Sequence, residues 1–173
     1  MKYLFSLGIF SLIMLASFSS CAQKDKSKRP SPPALVTQKV GEATISIDYS
    51  QPSVKGRTIG KDLEPMAGQV WRTGANEATV FEVDKDVMVE GKALPKGKYG
   101  LFSIMNGDEW TIIFNKTWNQ WGAFKYNQAD DVLRVNVKAK KLDPASEKMT
   151  FTVSAQGVVA LLWSNVEVDF TVK

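Results

Sequence analysis

From Ala34 to the last residue the chain keeps a period of two, and that period leaves little choice of fold. Ile45, Ile47 and Tyr49 alternate with Thr44, Ser46 and Asp48. Thr79, Phe81 and Val83 alternate with Val80 and Glu82, and Trp110, Ile112 and Phe114 with Thr111, Ile113 and Asn115. The pattern returns at Leu133-Val135-Val137, Met149-Phe151-Val153 and Val166-Val168-Phe170-Val172. Residues two apart on a strand share a face, so each run turns one set of side chains to a core and the other to water. Val80 and Ile113 are apolar on the second face, so their strands are expected to be covered on both sides. Turn signals punctuate the runs at Gly91-Lys92, Pro95-Lys96-Gly97, Asn106-Gly107, Gln156-Gly157 and Ser164-Asn165. No amphipathic helix longer than about two turns is present, and Ile59–Met66 and Lys116–Gln120 read as short helices or loops. The expectation is an all-β, antiparallel, jelly-roll-like β-sandwich over 34–173, with about ten short strands in two packed sheets.

The residue inventory removes several kinds of chemistry. The 173 residues include no histidine and one cysteine, Cys21. Intramolecular disulfides, zinc held by cysteine and histidine, Ser-His-Asp triads and Cys-His dyads are impossible within such a chain. The net charge of +4 is uneven: one charge is Lys2, three come from residues 24–29, and 17 basic residues balance 17 acidic ones from Pro30 onward. A body without a net basic field argues against nucleic acid as a partner.

Residues 1–20 read as an export signal: Lys2, then an uncharged and mostly apolar run from Tyr3 to Phe18, shorter than a spanning helix needs. Phe18-Ser19-Ser20-Cys21 looks like a lipobox, which makes Cys21 the expected lipidated N-terminus. Residues 21–33, ending in Pro30-Ser31-Pro32-Pro33, read as a solvated tether. The chain is thus expected in the cell envelope, anchored to a membrane through Cys21 without spanning it, on the periplasmic or outer-surface side.

Three segments depart from simple alternation by concentrating polar and aromatic residues: 49–57, 71–77 and 114–122. Arg57 and Arg72 offer planar, bidentate recognition of carboxylate or phosphate. Asn76 and Glu77 can supply a donor and an acceptor beside Arg72, and Arg72 with Glu77 can equally form an ion pair that only holds a loop. Trp118 is a platform for a flat sugar face, with Asn119 and Gln120 to bond its hydroxyls. Trp71 and Trp121 are assigned to the core. Among acids, Glu77 is the best general base, with Asp48, Asp62, Glu64 or Asp108 as a second carboxylate for a hydrolase. Asp84-Lys85-Asp86 and Asp130-Asp131 read as solvated turns, so no metal site is assigned. No phosphate-binding glycine motif is present, and no cofactor is assigned.

The strings YSQPSVKGR, VWRTGANEAT, LPKGKYGLF and FNKTWNQWGAF resemble the Bacteroidetes family called domain of unknown function 2911, over roughly Ser31 to Lys140. The resemblance implies that the three polar segments belong to a family pattern, and it brings no activity with it. Gln51 stands where members of that family typically carry a basic residue. The expected function is a non-catalytic module that binds a glycan or an envelope protein. The alternatives are a small carboxylate-dependent envelope hydrolase and a structural or assembly lipoprotein.

The leader yields the first prediction. Expressed in a bacterium that processes lipoproteins, the chain will sediment with membranes and carry acyl chains on Cys21, and Cys21→Ser will release it. Intact mass and fractionation check this; a soluble wild-type protein with a free thiol would refute it.

Overall fold

The computed structural model describes residues 25–173, so the proposed signal peptide and Cys21 lie outside the described residues. Ten strands follow one another: β1 (Pro33–Val40), β2 (Ala43–Ser50), β3 (Val70–Trp71), β4 (Thr79–Val83), β5 (Val87–Val89), β6 (Lys92–Leu94), β7 (Gly97–Asn106), β8 (Glu109–Asn115), β9 (Asp131–Val153) and β10 (Val158–Thr171). Helical structure among the described residues is confined to single 3-10 turns at Lys26–Lys28 and Gln128–Asp130.

One antiparallel sheet runs β1-β2-β4-β7-β8-β9-β10, with β3 paired to β7, and a separate ribbon pairs β5 with β6. The sheet curls because β9 is long. Its first part pairs with β8, from Asn115↔Asp131 to Glu109↔Lys138. Its second part pairs with β10, from Val168↔Ala139 to Val159↔Val153. That brings β9 and β10 back over the near strands. Phe151 meets Tyr49 of β2 edge-on at 5.1 Å, and Phe170 of β10 lies 5.9 Å from Phe114 and 6.3 Å from Phe81. After β2 the chain pairs with β9 again, Val54 N–H donating to Glu147 O and Met149 N–H to Pro52 O. The ribbon joins the end of β10 through the Val89↔Val172 bridge. The result is the all-β, sandwich-like fold that the alternation predicts.

The core follows the period of two. Ile45, Ile47, Tyr49, Phe81, Val83, Trp110, Ile112, Phe114, Val135, Met149, Phe151, Val168, Phe170 and Val172 are all buried in one cluster. Each large aliphatic or aromatic side chain so removed from water contributes about 1.5–3 kcal/mol. Two expectations about the strands need correction. The strands are not all short, since β9 spans 23 residues and β10 spans 14. Ser164-Asn165 is not a turn between strands. It is an irregularity inside β10, with Ser164 at φ 53° and register shifts on both sides of it. A bulge relieves curvature without ending a strand, and from sequence alone it reads like a turn.

Double coverage of the central strands is observed. Phe102 of β7 and Ile113 of β8 are fully buried on the outer face, in a second small core with Ala78, packed by Val70, Ile104, Ala123 and Tyr126. The 116–130 loop supplies this cover, so Lys116–Gln120 is loop and not helix. Buried Asn115 staples the loop down: its Nδ2 donates to Asn127 O and to Asp131 Oδ1, and its Oδ1 accepts from Thr117 N–H. Asp131 in turn accepts from Tyr126 Oη and Arg134 Nε.

Two glycines separate steric from conformational demand. Gly91 ends a two-residue turn with Glu90 at φ 47° and itself at φ 74°, the signs of a primed hairpin turn, and an added Cβ would meet nothing within 4 Å. Gly157, at φ 84°, lies so close to β10 that a Cβ would sit 1.9 Å from Val172 O. Gly91→Ala is expected to cost about 1 kcal/mol. Gly157→Ala must also push backbone apart and is expected to cost about 3 kcal/mol or more. Urea denaturation of the two variants tests this, and equal losses would contradict it.

Candidate functional site

The three polar segments meet at one end of the sheet, where they form two neighbouring clefts. The larger cleft, about 470 Å3, has walls from all three: Pro52 and Arg57 from the first, Arg72, Gly74 and Asn76 from the second, Trp121 from the third. The fourth side is the 58–66 loop, which brings Asp62 and Glu64. The smaller cleft, about 180 Å3, is lined by Asp48 and Glu77, by Trp118, Asn119 and Gln120, and by Lys26 and Arg29 of the N-terminal segment. The candidate residues thus separate into two groups: Arg57, Arg72 and Asn76 in the larger cleft, and Glu77, Trp118, Asn119 and Gln120 in the smaller.

Indole N–H groups hold the walls of the larger cleft. Trp71, 3% exposed in the core, donates through Nε1 to Gly74 O, and Trp163 donates to Glu64 O at 2.7 Å. Buried hydroxyls fix the 71–79 turn from below: Thr79 Oγ1 donates to Thr73 O, and Thr73 Oγ1 to Ser103 Oγ. Thr73 is a β-branched residue at φ 50°, a conformation that persists only where surrounding bonds hold it. Gly74 belongs here for space, since a Cβ would come within 2.8 Å of Thr79 Oγ1. Asn76, at φ 60°, donates through Nδ2 to Ser31 O, and its own carbonyl accepts from Gly122 N–H.

The four arginines of the chain differ in one respect. Arg29 is bonded to Glu77, Arg57 to Val54 O and Ser53 O, and Arg134 to Asp131 and Tyr126 Oη. Arg72 alone makes no side-chain hydrogen bond among the described residues, and its Nε is buried without a partner. Burial pulls its guanidinium below the ordinary arginine value, and the Glu64 carboxylate offsets part of that. The cleft's two carboxylates are bonded elsewhere: Asp62 Oδ1 accepts from Thr58 N–H and Glu64 Oε2 from Met66 N–H. The site therefore holds a charged, partly desolvated, planar donor whose hydrogen bonds are unmade.

Glu77 does not pair with Arg72. Its carboxylate is bonded to Arg29 at 2.7 Å and to Lys26 at 3.1 Å. Partial burial would raise the Glu77 carboxyl, but the hydrogen bonds from Arg29 and Lys26 outweigh it and hold the group below the usual carboxylate range. Glu77 neighbours Arg72 in sequence, but the 73–76 turn sends the two side chains into different clefts. The described part of the predicted tether is accordingly not free in solvent. Besides these ion pairs, Pro32 O accepts from Gln51 N–H and Ser31 O from Asn76. Trp121, assigned to the core from sequence, is 53% exposed and lies under the Arg29 guanidinium at 5.8 Å. Its neighbour Gln120 takes the buried place instead, donating to Thr117 O and accepting from Lys125 N–H. Trp118 is 38% exposed with Lys98 Nζ 5.6 Å from its ring, and Asn119 is exposed beside it. Sequence reasoning missed Lys26, Arg29 and Ser31; the charge of the 24–29 run was the one available signal. Among the described residues, no group of three or more histidine, cysteine or acidic side chains is placed to hold a metal.

Comparison with known proteins adds one finding. The family described as "Protein of unknown function (DUF2911)" matches residues 31–172. No curated protein and no solved structure matches.

The Glu77 pairs give a pH prediction. A carboxyl whose folded pKa is depressed adds stability above its unfolded pKa and loses it as pH falls through the lower folded value. With Glu77 39% exposed, solvent screening holds the contribution to about 1 kcal/mol or less. Amides of residues 25–32 should therefore show protection, measured relative to intrinsic exchange at each pH, at neutral pH, and that protection should fall as the medium is acidified below about pH 4.5. Glu77→Gln should lower the protection of the same amides several-fold at neutral pH and remove its pH dependence. Unchanged protection in Glu77→Gln would show that Arg29 and Lys26 do not hold the segment.

Proposed function

The chain belongs to the DUF2911 family, and on that premise we propose that it is a cell-envelope lipoprotein, held to a membrane through Cys21, whose domain binds an anionic ligand in the Arg72 cleft. The observation that carries the reading is the unpartnered Arg72 guanidinium. Removing a cation from water without pairing it destabilises a fold. A fold keeps such a group where a ligand supplies the missing partner, because residues arranged for function often weaken the free protein. A carboxylate fits the donor: it is planar, accepts bidentate bonds, and gains strength in a partly dry site.

The remaining walls narrow the class. Asn76 and Arg57 line the same cleft as Arg72 with further donors, and Trp121, 53% exposed, adds an indole to its wall. A carboxylate beside hydroxyls and one flat apolar face describes an acidic sugar, so the preferred ligand is a uronate-containing glycan. Glu77 has no catalytic role in this reading. Two cations hold it ionised, which makes it a weak base and a good anchor for the N-terminal segment.

The test separates binding from structure. Arg72→Met should leave the free domain as stable as the parent or up to about 2 kcal/mol more stable, and it should abolish binding of oligogalacturonate in calorimetry. Arg57→Ala should weaken binding about tenfold, or about 1.4 kcal/mol. An Arg72→Met protein that unfolds or loses several kcal/mol would mean that Arg72 builds the fold, and the structural alternative would replace this one.

A further inference from the structure

The loop between β8 and β9 carries three large apolar side chains that the fold leaves uncovered. Trp118 is 38%, Trp121 53% and Phe124 85% exposed, whereas Trp71, Trp110 and Trp163 are 3% or less. The other exposed large apolar residues, Leu35, Met88 and Val158, stand singly on separate strands. The three aromatics recur every third residue on a loop that Asn115 and Asp131 tie to the sheet and whose Gln120 O accepts from Ala78 N–H. Three exposed aromatics presented on one anchored loop mark an interaction surface.

Lys26 and Arg29 are bonded to Glu77 in the cleft that Trp118 also lines, and Arg29 stands over the Trp121 ring. Four residues lie between Cys21 and Lys26, so the five steps span no more than about 18 Å of fully extended chain. On the reading that Cys21 carries lipid, on which this inference rests, the bilayer surface lies within that reach of Lys26, and the aromatic loop adjoins the same segment. Lys116 and Lys125 are exposed on the same loop and have no ion-pair partner among the described residues. Tryptophan rings favour the headgroup level of a membrane, and lysines beside them favour anionic lipid.

We infer that this face of the domain lies on the bilayer, with Trp118, Trp121 and Phe124 in the headgroup region and the lysines against lipid phosphates. The anchor and the loop then fix the domain at two points, and the Arg72 cleft, with Trp121 in its wall, opens beside the membrane plane.

The sole cysteine allows a direct test that does not depend on cellular lipidation. The chain from Cys21 onward, which contains the whole described core, is coupled through the thiol to a maleimide-headgroup lipid. The vesicles are phosphatidylcholine with phosphatidylglycerol, and their acyl chains are either plain or brominated near the headgroup. Bromine quenches only indoles that reach the bilayer, and two of the five tryptophans are exposed. Brominated vesicles should dim the emission by up to about two fifths. Trp118→Phe with Trp121→Phe should remove the quenchable part. Phe124→Ser with Lys116→Gln and Lys125→Gln, folded by circular dichroism, should reduce the quenching about twofold or more. Equal wild-type emission in plain and brominated vesicles would overturn the inference. The anchor has its own arm: an unmodified Cys21 in the chain extracted from a bacterial envelope, with quenching in the coupled vesicles intact, would overturn the anchor and leave the surface standing.

Discussion

The candidate site depends on how firmly one turn is tied down. Residues 71–79 cross from β3 to β4 over the edge of the core, and buried hydroxyl bonds among Thr73, Thr79 and Ser103 hold them there, with the Trp71 indole on Gly74 O. Thr73, Thr79 and Ser103 are all 1% exposed or less, so these bonds face little competition from water. They keep Thr73 in a left-handed conformation that it would otherwise avoid. The turn directs Arg72 to one side and Glu77 to the other. Without that separation the two charges, so close in sequence, would be free to neutralise each other, and the cleft would lose its unpaired cation.

Glu77, deprived of Arg72, takes its cations from the N-terminal segment. This couples two parts of the chain that composition treats as separate, a basic tail and a neutral body. The segment from Asp25 to Pro32 lies between the two clefts, contributing Lys26 and Arg29 to one and the Ser31 backbone to the other. An anchor attached just before it would therefore act on the site's own edge. A domain on a long free linker would lack that arrangement.

The alternation made the main core legible because a period of two leaves each side chain one face. Ile113 also signalled double coverage, since an apolar residue on the outer face needs something to cover it; Val80, read the same way, is half-buried in the wall of the smaller cleft and outside the second core. The continuity of β10 was hidden because Ser164 and Asn165 are turn formers by composition, and a bulge uses the same residues. Trp121 and Gln120 exchanged their expected places. In a loop that folds back on a sheet, hydrogen-bond capacity decides burial as much as hydrophobicity, and Gln120 could satisfy Thr117 and Lys125 where an indole could not. The convergence of the three polar segments was beyond the sequence, because it follows from β3 and β4 both pairing with β7 and from the 116–130 loop covering the outer face. The segments themselves were identifiable, and Arg57, Arg72 and Asn76 do share a cleft.

The central claim is that Arg72 is an unmet donor waiting for an anion. The direct measurement is the arginine Nε–H spectrum by nitrogen-15 NMR during titration with oligogalacturonate. The chain has four arginines, and Arg57 and Arg134 already have bonded Nε groups. The Arg72 resonance should shift most and become protected from exchange, Arg57 in the same cleft should shift less, and Arg29 and Arg134 should stay in place. A spectrum in which Arg72 does not move, or in which all four arginines move alike as in a general charge effect, would contradict it.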